Sequence, residues 1–201
     1  MKKKKIYLIG SGGHAASCID VLETSKKFKI AGIFSDDNKN FFLNYKILGN
    51  INSLLKKNKK LNLHIAIGSI KNYNLRRKLF LKLQKKGHHF PCIVSNQSIV
   101  SKRAKIGDGT IIFHSSIINT NAEIGKNCII NTSSCIEHDV RISDHAHIST
   151  CAVINGNCKI GMGTFVGSST VLKENIEIGS KSIIGFGKSI NKNIPSGKLI
   201  K

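Results

Sequence analysis

Between Val94 and Ile190 an aliphatic residue returns at every sixth position, seventeen times without a break. Ile112, Ile130, Ile148, Val166 and Ile184 belong to the series, and only valine, isoleucine and leucine occupy it. A free helix repeats every 3.6 residues and a lone strand every 2, so neither explains this spacing. A period of six requires the backbone to present the same environment every six residues, as a solenoid of short parallel strands does. The position two before each aliphatic is small almost throughout (Ala104, Thr110, Ser116, Cys128, Ala146, Thr170), which fits a tight inner corner. Gly107, Gly125, Gly161, Gly167, Gly179 and Gly185 follow their aliphatics directly and are expected at the sharp bends, where a residue without Cβ turns most easily.

Composition narrows the setting. With 40 % hydrophobic content, 201 residues suffice for a buried core, in one domain or two small ones. No apolar run approaches the roughly 20 residues of a membrane span, so no stable membrane insertion is expected. Lys2 to Lys5 has the charge of a signal-peptide start, but the apolar run after it is too short and glycines follow at once, so the expected location is cytoplasmic. The six cysteines fit a reducing compartment and form no Cys-x-x-Cys pair, and Cys128 and Cys158 fall on inner-corner positions, so no metal site is expected. A net charge of +21 comes from 28 Lys and only 4 Arg, without a recognition motif or interleaved aromatics. It reads as a lysine surface spread over the chain, suited to anionic small molecules such as nucleotides or coenzyme A, and no nucleic-acid partner is expected.

The first half has a different grammar. Residues 5 to 9 form a buried-strand pattern, Gly10-Ser11-Gly12-Gly13-His14 follows, and an amphipathic stretch runs from Ala15 to about Lys26. Strand, glycine-rich turn and helix N-terminus make an anion site, because free backbone N–H groups and the helix dipole face the turn. A second strand, about Ile30 to Phe34, ends in Ser35-Asp36-Asp37, where an acidic side chain can bond ribose or base; a turn with a helix cap is the alternative. A third strand, His64 to Ile67, ends at Gly68; a helix over Arg76 to Lys86 and a short fourth strand, Phe90 to Val94, follow. Residues 1 to 93 thus read as a Rossmann-like parallel-sheet unit and residues 94 to 201 as the solenoid.

The repeats resemble the hexapeptide repeats of the left-handed parallel β-helix of bacterial acyltransferases. With Gly-Ser-Gly-Gly-His, Asp-Asp after the second strand and Ile-Gly after the third, nearly the whole chain is similar to the bacterial N-acetyltransferases of nucleotide-linked amino sugars. The sialic-acid O-acetyltransferases are close relatives. The resemblance implies a Rossmann-like domain holding a nucleotide-linked amino sugar, through Gly12, Gly13, His14, Asp36, Asp37 and Gly68. It also implies a homotrimer of β-helices that binds acetyl-coenzyme A between subunits. O-acetylation of a sialic-acid-like sugar is the alternative within the class, and a non-catalytic sugar-nucleotide-binding or scaffold protein the alternative outside it.

Segment 137 to 147, Glu-His-Asp-Val-Arg-Ile-Ser-Asp-His-Ala-His, concentrates acids and bases in hexads that otherwise favour Asn, Gly, Ser and Lys. Acetyl transfer to an amine needs a proton acceptor, and an unperturbed histidine titrates near pH 6.5. His138, two residues past its core aliphatic, is expected to point outward. By the resemblance it is the catalytic base, with Asp139 as its acid partner. Neighbours on a flat strand point to opposite sides, so Asp139 reaches His138 only at a corner, and Glu137 stays a rival. The resemblance also places His147, Ser168 and Phe186 on acetyl-coenzyme A. In such a fold residues eighteen apart stack, so Gly167 and Ser168 lie under Gly185 and Phe186, a glycine-lined column with backbone amides accessible to a thin ligand. Gly156 stacks on His138 and is expected to leave open space beside it. His114 and His145 read as surface residues. His138 and His147, half a coil apart, face different directions, so a site holding both must join two subunits. The family usually closes with Gly-x-Pro-Ala-Lys, whereas this chain runs Ile194-Pro195-Ser196-Gly197-Lys198, and weaker contacts to the nucleotide end of the coenzyme are expected.

Overall fold

The structure, a computed structural model, describes residues 3–57, 59–70 and 73–201. The chain divides into two compact units, Met1–Gly68 with Asn74–Pro91, and Ser69–Tyr73 with Cys92–Lys201.

In the first unit, β1 (Lys4–Ile9) lies between β2 (Phe28–Phe34) and, beyond the hairpin strands β3 (Phe41–Phe42) and β4 (Tyr45–Lys46), the short β5 (Leu63–Ile65). The sheet order is β2-β1-β5 and both pairings are parallel, the Rossmann-like arrangement the sequence implies. Helix α1 (Gly13–Thr24) buries Ala15, Cys18, Ile19 and Leu22, the i, i+3, i+4, i+7 stripe of an amphipathic helix. Helix α2 (Ile51–Leu55) is capped by the Asn50 side chain, and α3 (Asn74–Lys85) buries Leu79, Phe80 and Leu83. These meet Ile9, Phe34, Leu63 and Phe90 in one core. The expected fourth strand is not part of this sheet. Ile93–Val94 pairs with Ile111–Ile112 instead, making it the first rung of the solenoid, while Phe90 stays in the core of the first unit.

The second unit is a three-faced coil of two-residue strands. Its three parallel sheets hold six, five and seven strands, and each rung pairs with the one eighteen residues on, as Ile117↔Cys135, Glu123↔Arg141 and Ile129↔His147 do. From Ile112 to Ile190 every aliphatic of the six-residue series is at most 7 % exposed, while Val94, Val100 and Ile106 are half-buried beside this core. Each fully buried aliphatic side chain contributes on the order of 2 kcal/mol. The small inner residues are also coupling groups: the Thr110, Thr164 and Thr170 hydroxyls donate to the carbonyls of Gly125, Gly179 and Gly185, tying one coil to the next.

The bends are not where the glycines suggested. From Ile106 to Ile184 the left-handed backbone falls three residues after each aliphatic, as at Ser115, Asn121, Asn127, Ser133, Asp139, His145, Cys151 and Asn157, with φ between +54° and +64° at these eight. Asparagine, aspartate and serine tolerate this region because their short polar side chains bond locally. The glycines directly after the aliphatics answer to a close approach: a Cβ on Gly161 would lie 2.3 Å from the Ser180 amide nitrogen, and one on Gly167 2.5 Å from the Gly185 carbonyl carbon. The final coil is two residues short, since Ile178 bridges Ile194 and Ile184 pairs with Ile200 at a separation of sixteen. Among the described residues no helix is long and apolar enough to cross a membrane, and no group of His, Cys, Asp or Glu is arranged to hold a metal ion.

Candidate active site

His138 and Asp139 lie between the rung Cys135–Ile136 on one face and Arg141–Ile142 on the next. Asp139 takes the left-handed corner conformation, φ +60°, which turns its side chain back beside that of its neighbour. The corner condition is therefore met, and His138 Nδ1 lies 2.8 Å from Asp139 Oδ2. The His138 hydrogen bond first and the Asn121 hydrogen bond second hold the Asp139 carboxyl below its ordinary range. An ionised carboxylate only accepts, so Nδ1–H is the donor of the pair, and in the neutral imidazole the lone pair is then on Nε2. Glu137 is not the partner: it accepts from Asn119 Nδ2 at 2.9 Å and from the Cys135 thiol, whose pKa burial and Glu137 push up to about 11.

The side chain of His138 is 59 % exposed, outward as expected. The space above it is not open. The imidazole itself fills it, and a Cβ on Gly156 would stand 2.7 Å from both Cε1 and Nε2. The His138 carbonyl accepts from the Asn157 amide at 3.0 Å, fixing the corner to the coil above.

The remaining residues of the expected coenzyme column occupy a different edge. Ser168 and Phe186 follow the rungs Phe165–Val166 and Ile183–Ile184 of the seven-stranded sheet, one coil apart. Phe186 is 80 % exposed, and Ser168 Oγ lies 2.9 Å from Ser149 Oγ. The Gly167 and Gly185 amides do not face outward for a ligand; they donate to Ile184 and Ile200 in the coil ladder. His147 lies on the flat of that sheet rather than on its edge. Its ring is buried, with Nδ1 2.7 Å from the Ser69 carbonyl oxygen and Phe165 edge-on at 5.0 Å. His145 is buried too, against surface expectation, because its corner backbone folds the ring over Asn127, 2.9 Å away. His114 is half-buried, 2.7 Å from Ser95 Oγ.

In the first unit, a cleft of about 670 Å³ opens beyond the end of β2, lined by Ser35 to Asn40 with Ile47, Gly49 and Asn50. Asp37 borders it and accepts from the Ser11 hydroxyl, itself 2.7 Å from Ser35 Oγ. This seryl link joins the glycine turn to the acidic strand end; the sequence does not single out Ser11 or Ser35, because a lone hydroxyl in a turn or at a strand end carries no spacing signal. Asp36 also lines the cleft, but its Oδ1 accepts from the Ile51 amide at the start of α2, the helix-cap alternative of the sequence reading. Gly12 and Gly13 have open space where side chains would be, and Gly68 packs against His14 Cβ at 3.6 Å from its absent Cβ.

With this geometry in place, known proteins give the class. Residues 5–83 match the family described as the PglD N-terminal domain. A perosamine N-acetyltransferase from Caulobacter crescentus, a histidine-to-asparagine mutant in complex with coenzyme A and GDP-perosamine, superimposes with TM-score 0.91 at 26 % identity, covering 97 % of this chain and 92 % of that one. The acetyltransferase domain of PglB from Neisseria gonorrhoeae, in complex with acetyl-coenzyme A, also gives 0.91, at 22 % identity over 98 % and 96 % of the two chains. WeeI from Acinetobacter baumannii shares the fold at TM-score 0.65 and 20 % identity over 98 % and 96 %. No curated protein shows significant sequence similarity to the chain. The fold is thus the left-handed parallel β-helix of the acyltransferases, preceded by a Rossmann-like unit. Residues 5–83 thus carry a PglD-type N-terminal domain, and over nearly its whole length the chain is similar to an acetyltransferase that acts on a nucleotide-linked amino sugar.

Proposed function

We propose that this protein transfers the acetyl group of acetyl-coenzyme A to the amino group of a nucleotide-linked amino deoxysugar, for surface glycan synthesis in the cytoplasm. The observation that carries the reading is the His138–Asp139 pair, an exposed imidazole whose Nδ1 is held by a carboxylate so that Nε2 is free to accept a proton. The sugar amine attacks the thioester carbonyl carbon as Nε2 takes its proton. The tetrahedral intermediate collapses, the C–S bond breaks, and the imidazolium returns the proton to the departing thiolate. No covalent enzyme intermediate is required.

The nucleotide-sugar is assigned to the first unit, with Asp37 at the cleft beyond β2 bonding ribose or base and Gly12, Gly13, His14 and Gly68 shaping the turn beside α1. Asp36 acts there through its hold on α2. The coenzyme is assigned to the edge carrying Gly167, Ser168, Gly185 and Phe186, where the exposed phenyl ring offers an apolar plate, and His147 supports that edge from the neighbouring face. His138 is on another edge of the same prism, so a working site takes one edge from each of two copies. The face between the two edges carries Ile99, 68 % exposed, and Val171, 40 % exposed, an apolar stripe suited to packing copies as a homotrimer.

The test is turnover of UDP-, GDP-, dTDP- and CMP-linked amino sugars by the wild type and by His138→Ala. We expect transfer to an amine, and a fall of at least about a hundredfold on loss of the base, with the circular dichroism unchanged. Acetylation of hydroxyl acceptors alone would transfer the assignment to O-acetylation; undiminished turnover by His138→Ala would remove the histidine from the chemistry.

A further inference from the structure

The left-handed corner that holds Asp139 is one of a column stacked along the same edge of the coil. Asn121 lies one coil below, Asn157 and Asn175 lie above, and all take φ between +58° and +61°. In such a column asparagine needs no functional reason, since it suits the backbone and its amide can bond its neighbour, as Asn157 Nδ2 does to Asn175 Oδ1 at 2.9 Å. Asp139 is the only carboxylate among these four positions. Asn121 therefore meets a different partner from any other member: its Nδ2–H donates to Asp139 Oδ1 at 3.1 Å, while His138 Nδ1 holds Oδ2 at 2.8 Å.

The two donors on the two oxygens define the carboxylate plane. With its side chain 49 % exposed, Asp139 is only partly held by packing, and the amide below and the imidazole beside it fix its two oxygens. The other charged group acting on Asp139 is Arg141, on the next face, which acts at a distance rather than by a hydrogen bond.

We infer that Asn121 is a positioning residue for acetyl transfer, holding Asp139 so that its second oxygen keeps the proton on His138 Nδ1 and the lone pair on Nε2. The inference rests on the reading of His138 as the base. It adds a requirement that no single coil displays, because the residue lies seventeen positions before the histidine and touches only its partner.

A matched set of variants of the full chain tests it. Asn121→Gly and Asn175→Gly both keep the left-handed backbone and both lose a ladder hydrogen bond, but only the first loses the contact with Asp139. We expect Asn121→Gly to lower kcat about tenfold, toward the low end of what a hydrogen bond to a charged group contributes. KM for both substrates should be unchanged, and the acid limb of the pH profile of kcat/KM should move to lower pH as the carboxylate ceases to support the imidazolium. Asn175→Gly should keep the wild-type kcat and profile at a similar melting temperature to Asn121→Gly. In an Asp139→Asn background the Asn121→Gly effect should vanish, since the two act through one group. Wild-type kcat and pH profile in Asn121→Gly, or an effect that adds fully to that of Asp139→Asn, would overturn the inference while an inactive His138→Ala kept the base assignment intact. Normal turnover by His138→Ala would instead remove the base assignment and this inference with it.

Discussion

The two halves of this chain solve the problem of a buried core in opposite ways. The coil repeats one solution, in which a single aliphatic per hexad points inward and each rung bonds to the one eighteen residues on. The first unit assembles its core once, from Phe34, Phe80, Phe90 and aliphatics brought together across sequence separations such as Tyr7 to Leu63. Their charge differs as well: residues 1–91 hold 20 Lys and Arg against 4 Asp and Glu, a net +16, which leaves +5 for residues 92–201. The positive excess is therefore not spread over the chain but belongs mainly to the half assigned to the anionic nucleotide. Repetition makes the coil legible and intolerant of phase errors; the first unit is the reverse on both counts.

Phase gives the largest expected effect. Deleting Asn155 would shift every later residue by one place, exchanging inward and outward side chains from Ile160 onward. The native shortening near Ile194 removes two residues, which preserves the alternation, and only Ile200 must follow it. We expect the Asn155 deletion to give no folded coil by circular dichroism or size-exclusion chromatography. One residue added to the turn at Leu43 and Asn44 of the first unit should leave both units folded, since that hairpin has only two residues per strand and lies at the surface.

The next contrast lies within the coil and separates glycines kept for the fold from one kept for the site. Gly161→Ala sets a methyl group 2.3 Å from a backbone nitrogen, and the melting temperature should fall by about 5 °C or more, as for a forced backbone shift. Gly156→Ala meets the His138 ring instead, at 2.7 Å, and a half-exposed side chain can swing away. We expect little change in melting temperature but a fall in kcat of about a hundredfold, comparable to removing the base. Equal stability losses in the two variants would erase the distinction.

These glycines also mark how far the sequence could be read. The series from Val94 to Ile190 dictates a solenoid because its period is local, and the inward positions follow from it directly. Corner conformation is not written in that period. The glycines after the aliphatics look like bends but serve close packing, and the bends fall on Asn121, Asp139 and His145. For that reason the sequence leaves the choice between Asp139 and Glu137 open, His145 reads as a surface residue, and nothing in the period sets Asn121 apart from the other asparagines. In the first unit the long strands and α1 were visible in their apolar patterns, but β3 and β4 were not, since two residues cannot show an alternation. The strand expected over Phe90 to Val94 shrinks to Ile93–Val94 and is itself the first rung of the repeats, because an isolated apolar run does not name its partner.

The smallest effect expected distinguishes the halves by pH. His64 is fully buried in the first unit, where burial, then Arg76 and His14, hold its pKa well below 6.5, and Cys18 lies 3.7 Å from its Nε2. The folded histidine stays neutral while the unfolded chain binds a proton, so the stability of this unit falls as pH drops below about 6.5, by up to about 2 kcal/mol near pH 5. His88, less buried, shifts in the same direction. In the coil, Asp139 and Glu123 are held low by His138 and Lys105, so what they contribute is present above the usual carboxylate range and is lost only as pH falls through their lowered values. Hydrogen exchange on the intact chain from about pH 7 to about pH 5, corrected for the intrinsic rate, should show lost protection in β1, β2 and β5 while the coil rungs hold theirs. His64→Gln should flatten that dependence. Parallel loss in both halves, or a pH dependence unchanged by His64→Gln, would show that the buried histidine does not set the difference between them.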